Sequence, residues 1–185
     1  MLAVGRKVIY PSQGPCVIGA LVKRMIDDRP VLFYQLLVLD DGVGNDGSGN
    51  LFVPVDKVEK VGIRPLLKRS EIPDLLRQLK KPAKSVENCR QRARDNLKLI
   101  ASGSAFDLAE VVESLTELSE TKSLSFGEQK TLERAKRLLV SEISEVMGET
   151  REEAGDQVEK ALSARIKDRS AVTNQKRSVK ASGNR

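Results

Sequence analysis

The chain has 185 residues, enough for one sizeable hydrophobic core or two small ones. Its 32 Lys+Arg against 26 Asp+Glu give a net charge of +6, and residues 163–185 alone hold seven basic residues against one aspartate, so the remainder is neutral and charge must be judged by where it clusters. Histidine and tryptophan are absent, which excludes imidazole-based triads and metal sites and makes a non-enzymatic chain the default expectation.

No apolar run approaches the roughly 20 residues that cross a bilayer, and MLAVGRKVIYPS carries no signal-peptide pattern. A cytoplasmic protein without a membrane segment is therefore expected. GRKVIYPSQGPCVIGALVKRM predicts a short strand, a Pro-Ser-Gln-Gly turn and a second strand. VLFYQLLVL is apolar enough for a central strand, and LFVPV and KVGI supply two more. Five short strands within about 65 residues suggest a small barrel or strongly bent sheet. Pro54 cannot donate a ladder hydrogen bond, so its strand is expected at an edge. Gly42-Val43-Gly44-Asn45-Asp46-Gly47 matches GxGxxG, but strand-like Leu51-Phe52-Val53 follows where a dinucleotide site needs a helix, so it reads as a flexible hairpin loop. The same loop lacks oxygen ligands where an EF-hand requires them, and no GxxxxGK[ST] occurs.

From Ser70 onward the apolar period becomes helical. Ser70-Glu71-Ile72-Pro73 opens a short helix with proline in its first turn, and Ser85 caps a second that Gly103 closes. Ser104 with Asp107, Ser125 with Glu128 and Thr150 with Glu153 place an acid three residues after a cap, predicting three more helices. The last fades into SARIKDRSAVTNQKRSVKASGNR, too polar to pack and read as disordered. Cys16 and Cys89 have no CxxC partner and are expected as buried free thiols.

Residues 87–103, ENCRQRARDNLKLIASG, hold the densest basic cluster of the folded part. At about 100° per residue, Val86, Cys89, Ala93, Leu97 and Ile100 share one apolar sector. Arg90, Arg94 and Lys98 form a stripe beside it, and Arg92 flanks the other edge. Such stripes often serve only solubility. Here, with Lys80 and Lys81 just upstream, about six positive groups could instead displace counterions from nucleic-acid phosphates.

The order of these motifs resembles the CarD/CdnL family of bacterial transcription regulators. Gly5 to Gly14 follow G-x-x-V-I-Y-P-x-x-G, Val53 to Val55 a V-P-[VIA] strand, and Val61 to Arg64 V-G-[IV]-R. Asn96 to Gly103, Leu108 to Leu115 and Leu124 to Ile143 match the helical part, so the match runs from about residue 4 to 148. The resemblance implies a Tudor-like β domain docking on the RNA polymerase β subunit through a strand edge, and a helical domain contacting promoter DNA at the upstream edge of the melted bubble. Leu51, Phe52, Val53 and Pro54 suit such an edge. Arg24 matches a basic position the family uses there, while Phe52 stands where some members carry arginine. The family's N-W-x-R-R-Y-[KR] reads Asn88-Cys89-Arg90-Gln91-Arg92-Ala93-Arg94 here. Cys89 thus replaces the tryptophan wedge and Ala93 the tyrosine, leaving Arg90, Arg92, Arg94 and Lys98 to hold DNA electrostatically.

The expected fold class is α+β, with a small β-barrel or bent sheet followed by a compact domain of about five helices. Residues 1–67 form the polymerase-binding domain, 70–162 the DNA-contacting domain and 163–185 a basic tail that could add nonspecific affinity. No metal, cofactor, small-molecule substrate or enzymatic activity is expected, and the chain is expected to be a monomer. An alternative is a polymerase-binding adaptor whose helices bind another protein. A similar β module occurs in transcription-repair coupling ATPases, but without a phosphate loop this chain is not expected to be an enzyme fragment.

Overall fold

The computed structural model describes residues 2–39, 49–81 and 88–165. The glycine-rich loop at 42–47, the Ser85 cap, Val86 and the tail from 166 onward lie outside the described residues. Five antiparallel strands, β1 (Lys7–Tyr10), β2 (Gly14–Ile26), β3 (Arg29–Val38), β4 (Asn50–Pro54) and β5 (Arg64–Pro65), form one sheet in the order β4-β3-β2-β1-β5. β4 is an edge strand, as Pro54 requires.

Asp27 and Asp28, at φ 47° and 59°, close the β2–β3 hairpin in the left-handed region that matches strand twist and that short polar side chains tolerate. Between Ile18 and Leu21 the register with β3 slips, and this bulge bends the ribbon. Val8, Cys16, Ile18, Tyr34, Leu36 and Val53 bury one face of the sheet as a hydrophobic cluster. Burial pushes the Cys16 thiol up to about 11, against the lowering pull of a backbone hydrogen bond, so this cysteine is a core residue as expected.

KVGI is not a strand. Val55–Lys57 form a 3-10 turn and α1 (Val58–Val61) a single helical turn, ended by Gly62 at φ 82°. Val58, Val61 and Ile63 pack on the sheet cluster, and the fifth strand starts at Arg64, pairing with β1. The strand-like composition reflected burial on the sheet, and the left-handed glycine decided the turn.

The helical part holds α2 (Ile72–Gln78), α3 (Cys89–Ser102), α4 (Ala105–Thr121), α5 (Phe126–Met147) and α6 (residues 151–165). Ile72, Leu75 and Leu79 recur on one face of the α2 segment and join Leu108, Val112, Leu115, Leu139, Ile143 and Leu162 in a second cluster. Ser125 and Glu128 form the reciprocal capping box of α5, Thr150 and Glu153 do the same for α6, and the Ser104 hydroxyl accepts from Asp107 N–H at α4. The cap of α3 is Asn88 rather than Ser85: its carboxamide oxygen accepts from Arg90 and Gln91 N–H at 3.0 and 3.3 Å.

A joint connects sheet to helices. Arg64 donates from both terminal nitrogens to the two carboxylate oxygens of Glu142 at 2.7 Å, and from Nε to the Gly103 carbonyl at 2.8 Å. Leu67 N–H adds a bond to Glu142 at 3.1 Å. Lys7 pairs with Glu145 at 2.5 Å, and Arg134 donates to the Ser12 carbonyl. Gly103, at φ 73°, lets Pro11 approach so closely that a Cβ there would lie 3.0 Å from the proline ring.

Glu142 is 1% exposed, and its removal leaves the Arg64 guanidinium without its counter-charge in a half-buried site. Glu142→Ala is expected to cost about 3 kcal/mol in a denaturant melt, since orphaning one member of a buried pair is the expensive step. The Arg64→Ala, Glu142→Ala double variant should lose less than the sum of the two single losses.

Candidate nucleic-acid interface

The buried face of α3 consists of Arg92, Asn96 and Ile100, with Leu99 half-buried. Cys89, Ala93 and Leu97, expected to point inward, are exposed, so the helix is turned by roughly 60° from its apolar sector. Cys89 is accordingly an exposed thiol rather than a core residue.

The physical reason is Arg92. Its Nη2 donates to Glu128 Oε1 at 2.6 Å, and the arginine side chain is only 6% exposed. Glu128 also accepts from Ser125 N–H at 2.9 Å and from the Ser125 hydroxyl at 2.8 Å. Burial tends to raise the Glu128 carboxyl, but the Arg92 and Ser125 hydrogen bonds and the Arg92 charge outweigh it and hold the group at about 2. One carboxylate thus caps α5 and anchors α3. Arg92, expected to be a phosphate-binding cation, is corrected to a buried structural one whose charge is matched within the protein.

The rotation leaves Ala93, Leu97, Arg90, Arg94 and Lys98 as one outer face in which apolar and basic groups adjoin. Arg90 and Arg94 make no ion pair among the described residues, and Lys98 lies 3.7 Å from Asp95. Between this face and the α4–α5 connection runs a groove of ≈ 610 Å³, lined by Cys89, Ala93, Leu97, Leu124 and Glu128 among others.

On the sheet, the structure brings other expected residues together. The Arg24 guanidinium lies 3.7 Å from the Phe52 ring centroid, a cation–π stack on the outer face of the sheet. Val53 points into the core, while Leu51, Phe52 and Pro54 are partly exposed along the edge. β4 covers β3 only from Phe33 to Leu37, so the ribbon formed by residues 21–26 and 29–32 extends past it. That ribbon exposes Leu21, Met25, Ile26 and Leu32, an apolar surface the sequence reading missed. Its outward apolar positions at 21, 25 and 26 were a visible signal, obscured by the bulge that shifts their phase.

Two family models cover these two parts: the CarD-like/TRCF RID domain matches residues 2–67 and the CarD C-terminal domain residues 71–159. The chain belongs to the CarD/CdnL family. It is 23% identical over 151 residues to the Bacillus subtilis (strain 168) protein "Putative transcription factor YdeB", covering 81% of this chain and 95% of that one. CarD-family proteins are transcription regulators, and the α+β order of sheet then helices agrees with that membership. Among the described residues no cluster of metal-ligating groups occurs and no helix is long and apolar enough to cross a membrane.

The Glu128 carboxyl sits below its unfolded value in this CarD-family fold, so its contribution is present above the unfolded pKa near 4.5 and is lost as pH falls toward 2. Glu128→Gln should therefore destabilise clearly at pH 7, and the gap to the parent protein should close as thermal melts are run from pH 5 down to pH 2.5.

Proposed function

We propose that this CarD-family chain regulates transcription initiation by gripping the RNA polymerase β subunit with its sheet edge and promoter DNA, independently of sequence, with α3. The observation that carries the reading is the joint at Arg64 and Glu142, which fixes the Arg24–Phe52 edge and the Arg90–Arg94–Lys98 face in one frame. Three exposed cations are too few to hold DNA tightly at physiological salt. Tethered to polymerase, the same contacts act at an effective concentration on the order of millimolar, where weak binding suffices. The β4 edge offers unpaired backbone groups to a partner strand, and the apolar ribbon beside it offers buried area for the same partner.

DNA contact on this reading stabilises open complexes mainly through charge. Cys89 stands exposed at the first turn of α3, where a thiol cannot stack on a base pair. Arg90 and Arg94 neutralise backbone charge and position the helix without reading bases.

Two measurements test this. Capture of the isolated β-subunit lobe should succeed with the parent chain and fail with Arg24→Glu, while DNA binding is unchanged. In DNA titrations at several salt concentrations, Arg90→Ala with Arg94→Ala should lower the slope of log affinity against log salt by about 2, with the β-lobe interaction intact. On a promoter with short-lived open complexes, Cys89→Trp should lengthen their lifetime; an unchanged lifetime would place the melted edge away from this helix.

A further inference from the structure

Drawing Arg92 toward Glu128 leaves Cys89 exposed at the first position of α3, whereas Cys16, the other cysteine of the chain, is fully buried. Exposure alone does not make a binding site. Cys89, however, lines the groove of ≈ 610 Å³ between α3 and the α4–α5 connection, a volume within the range of about 300–1,000 Å³ that small-molecule sites span.

Asn96 lines the same groove at 5% exposure, and its carboxamide makes no hydrogen bond with the described residues. It follows Cys89 by seven positions, so the two share one side of α3 to within about 20° and lie about 10 Å apart along the axis. Ala93 stands between them on that side and also lines the groove. A buried amide left without partners costs free energy, so Asn96 calls for a ligand that brings both an acceptor and a donor. The groove also selects a charge. Arg90 and Lys122 stand exposed along it, while Glu128 is the one acid among the lining residues described and is matched by Arg92.

We propose that this groove takes a low-molecular-weight disulfide bearing carboxylates and amides, and that Cys89 exchanges with it to form a mixed disulfide. The Cys89 thiolate attacks one sulfur of the incoming disulfide. A bond forms between Cys89 Sγ and that sulfur as the original S–S bond breaks; the other half leaves as a thiolate, and the Cys89 proton passes to water. Cys89 is thereby oxidised and the departing half reduced, so no further oxidant is needed. The retained half lies along the groove with its carboxylates toward Arg90 and Lys122 and an amide against Asn96. The consequence rests on the DNA-facing reading of α3: the adduct sets negative charge beside Arg90 and loosens the helix from DNA phosphates.

The test uses the full chain, with oxidised glutathione as the probe and hydroxyethyl disulfide as an uncharged comparator. Mass spectrometry of the parent protein should show one glutathione per chain, mapped to Cys89, and none on Cys89→Ser. Arg90→Gln with Lys122→Gln should slow glutathione exchange about fivefold relative to exchange with the comparator, as two exposed ion pairs allow. At a fixed ratio of reduced to oxidised glutathione, Asn96→Ala should return part of the adduct to free thiol without moving the comparator adduct. Equal effects of these substitutions on both disulfides, or uptake on Cys16 as readily as on Cys89, would overturn the site. In DNA titrations the adduct, which adds one net negative charge, should lower the slope of log affinity against log salt by about 1, and dithiothreitol should restore it. Selective uptake with an unmoved slope would overturn the DNA-facing reading of α3 and leave the thiol site standing.

Discussion

The bidentate pair between Arg64 and Glu142 is the constraint on which the rest of the molecule depends. Arg64 follows the left-handed Gly62 and lies in β5, so its backbone belongs to the sheet while its guanidinium reaches α5 and the C-terminus of α3. The Glu142 carboxylate is almost fully buried, and a buried carboxylate is tolerable only because Arg64 and the Leu67 N–H satisfy it. With these bonds in place the two hydrophobic clusters do not pivot freely about a linker.

A second charge pair sets the rotation of the basic helix. Arg92 and Glu128 bind α3 to the start of α5, and the same carboxylate completes the cap of α5. Turning Arg92 inward turns Cys89, Ala93 and Leu97 outward, which gives α3 a mixed apolar and cationic outer face. A helix with all its arginines outward would have carried more charge and less apolar contact.

Much of the fold was legible in local chemistry. The serine and threonine caps with acids three residues on, the closing Gly103 and the edge position of Pro54 each follow from which backbone groups need partners, and those needs are local. The site was legible only in outline. Arg90, Arg94 and Lys98 face outward as their spacing suggests, but Arg92 belongs to the same run and does not. Nothing in residues 87–103 says that a carboxylate 36 positions later competes for it.

By itself, the sequence determined the α+β class, the order of sheet then helices, the caps of α4, α5 and α6 and the family, since these depend on periodicity, capping and motif order along the chain. Only the tertiary structure decided which cations of α3 face outward and which cysteine is buried. Those depend on pairings between residues distant in sequence, where a single long-range ion pair outweighs the pull of three small apolar side chains.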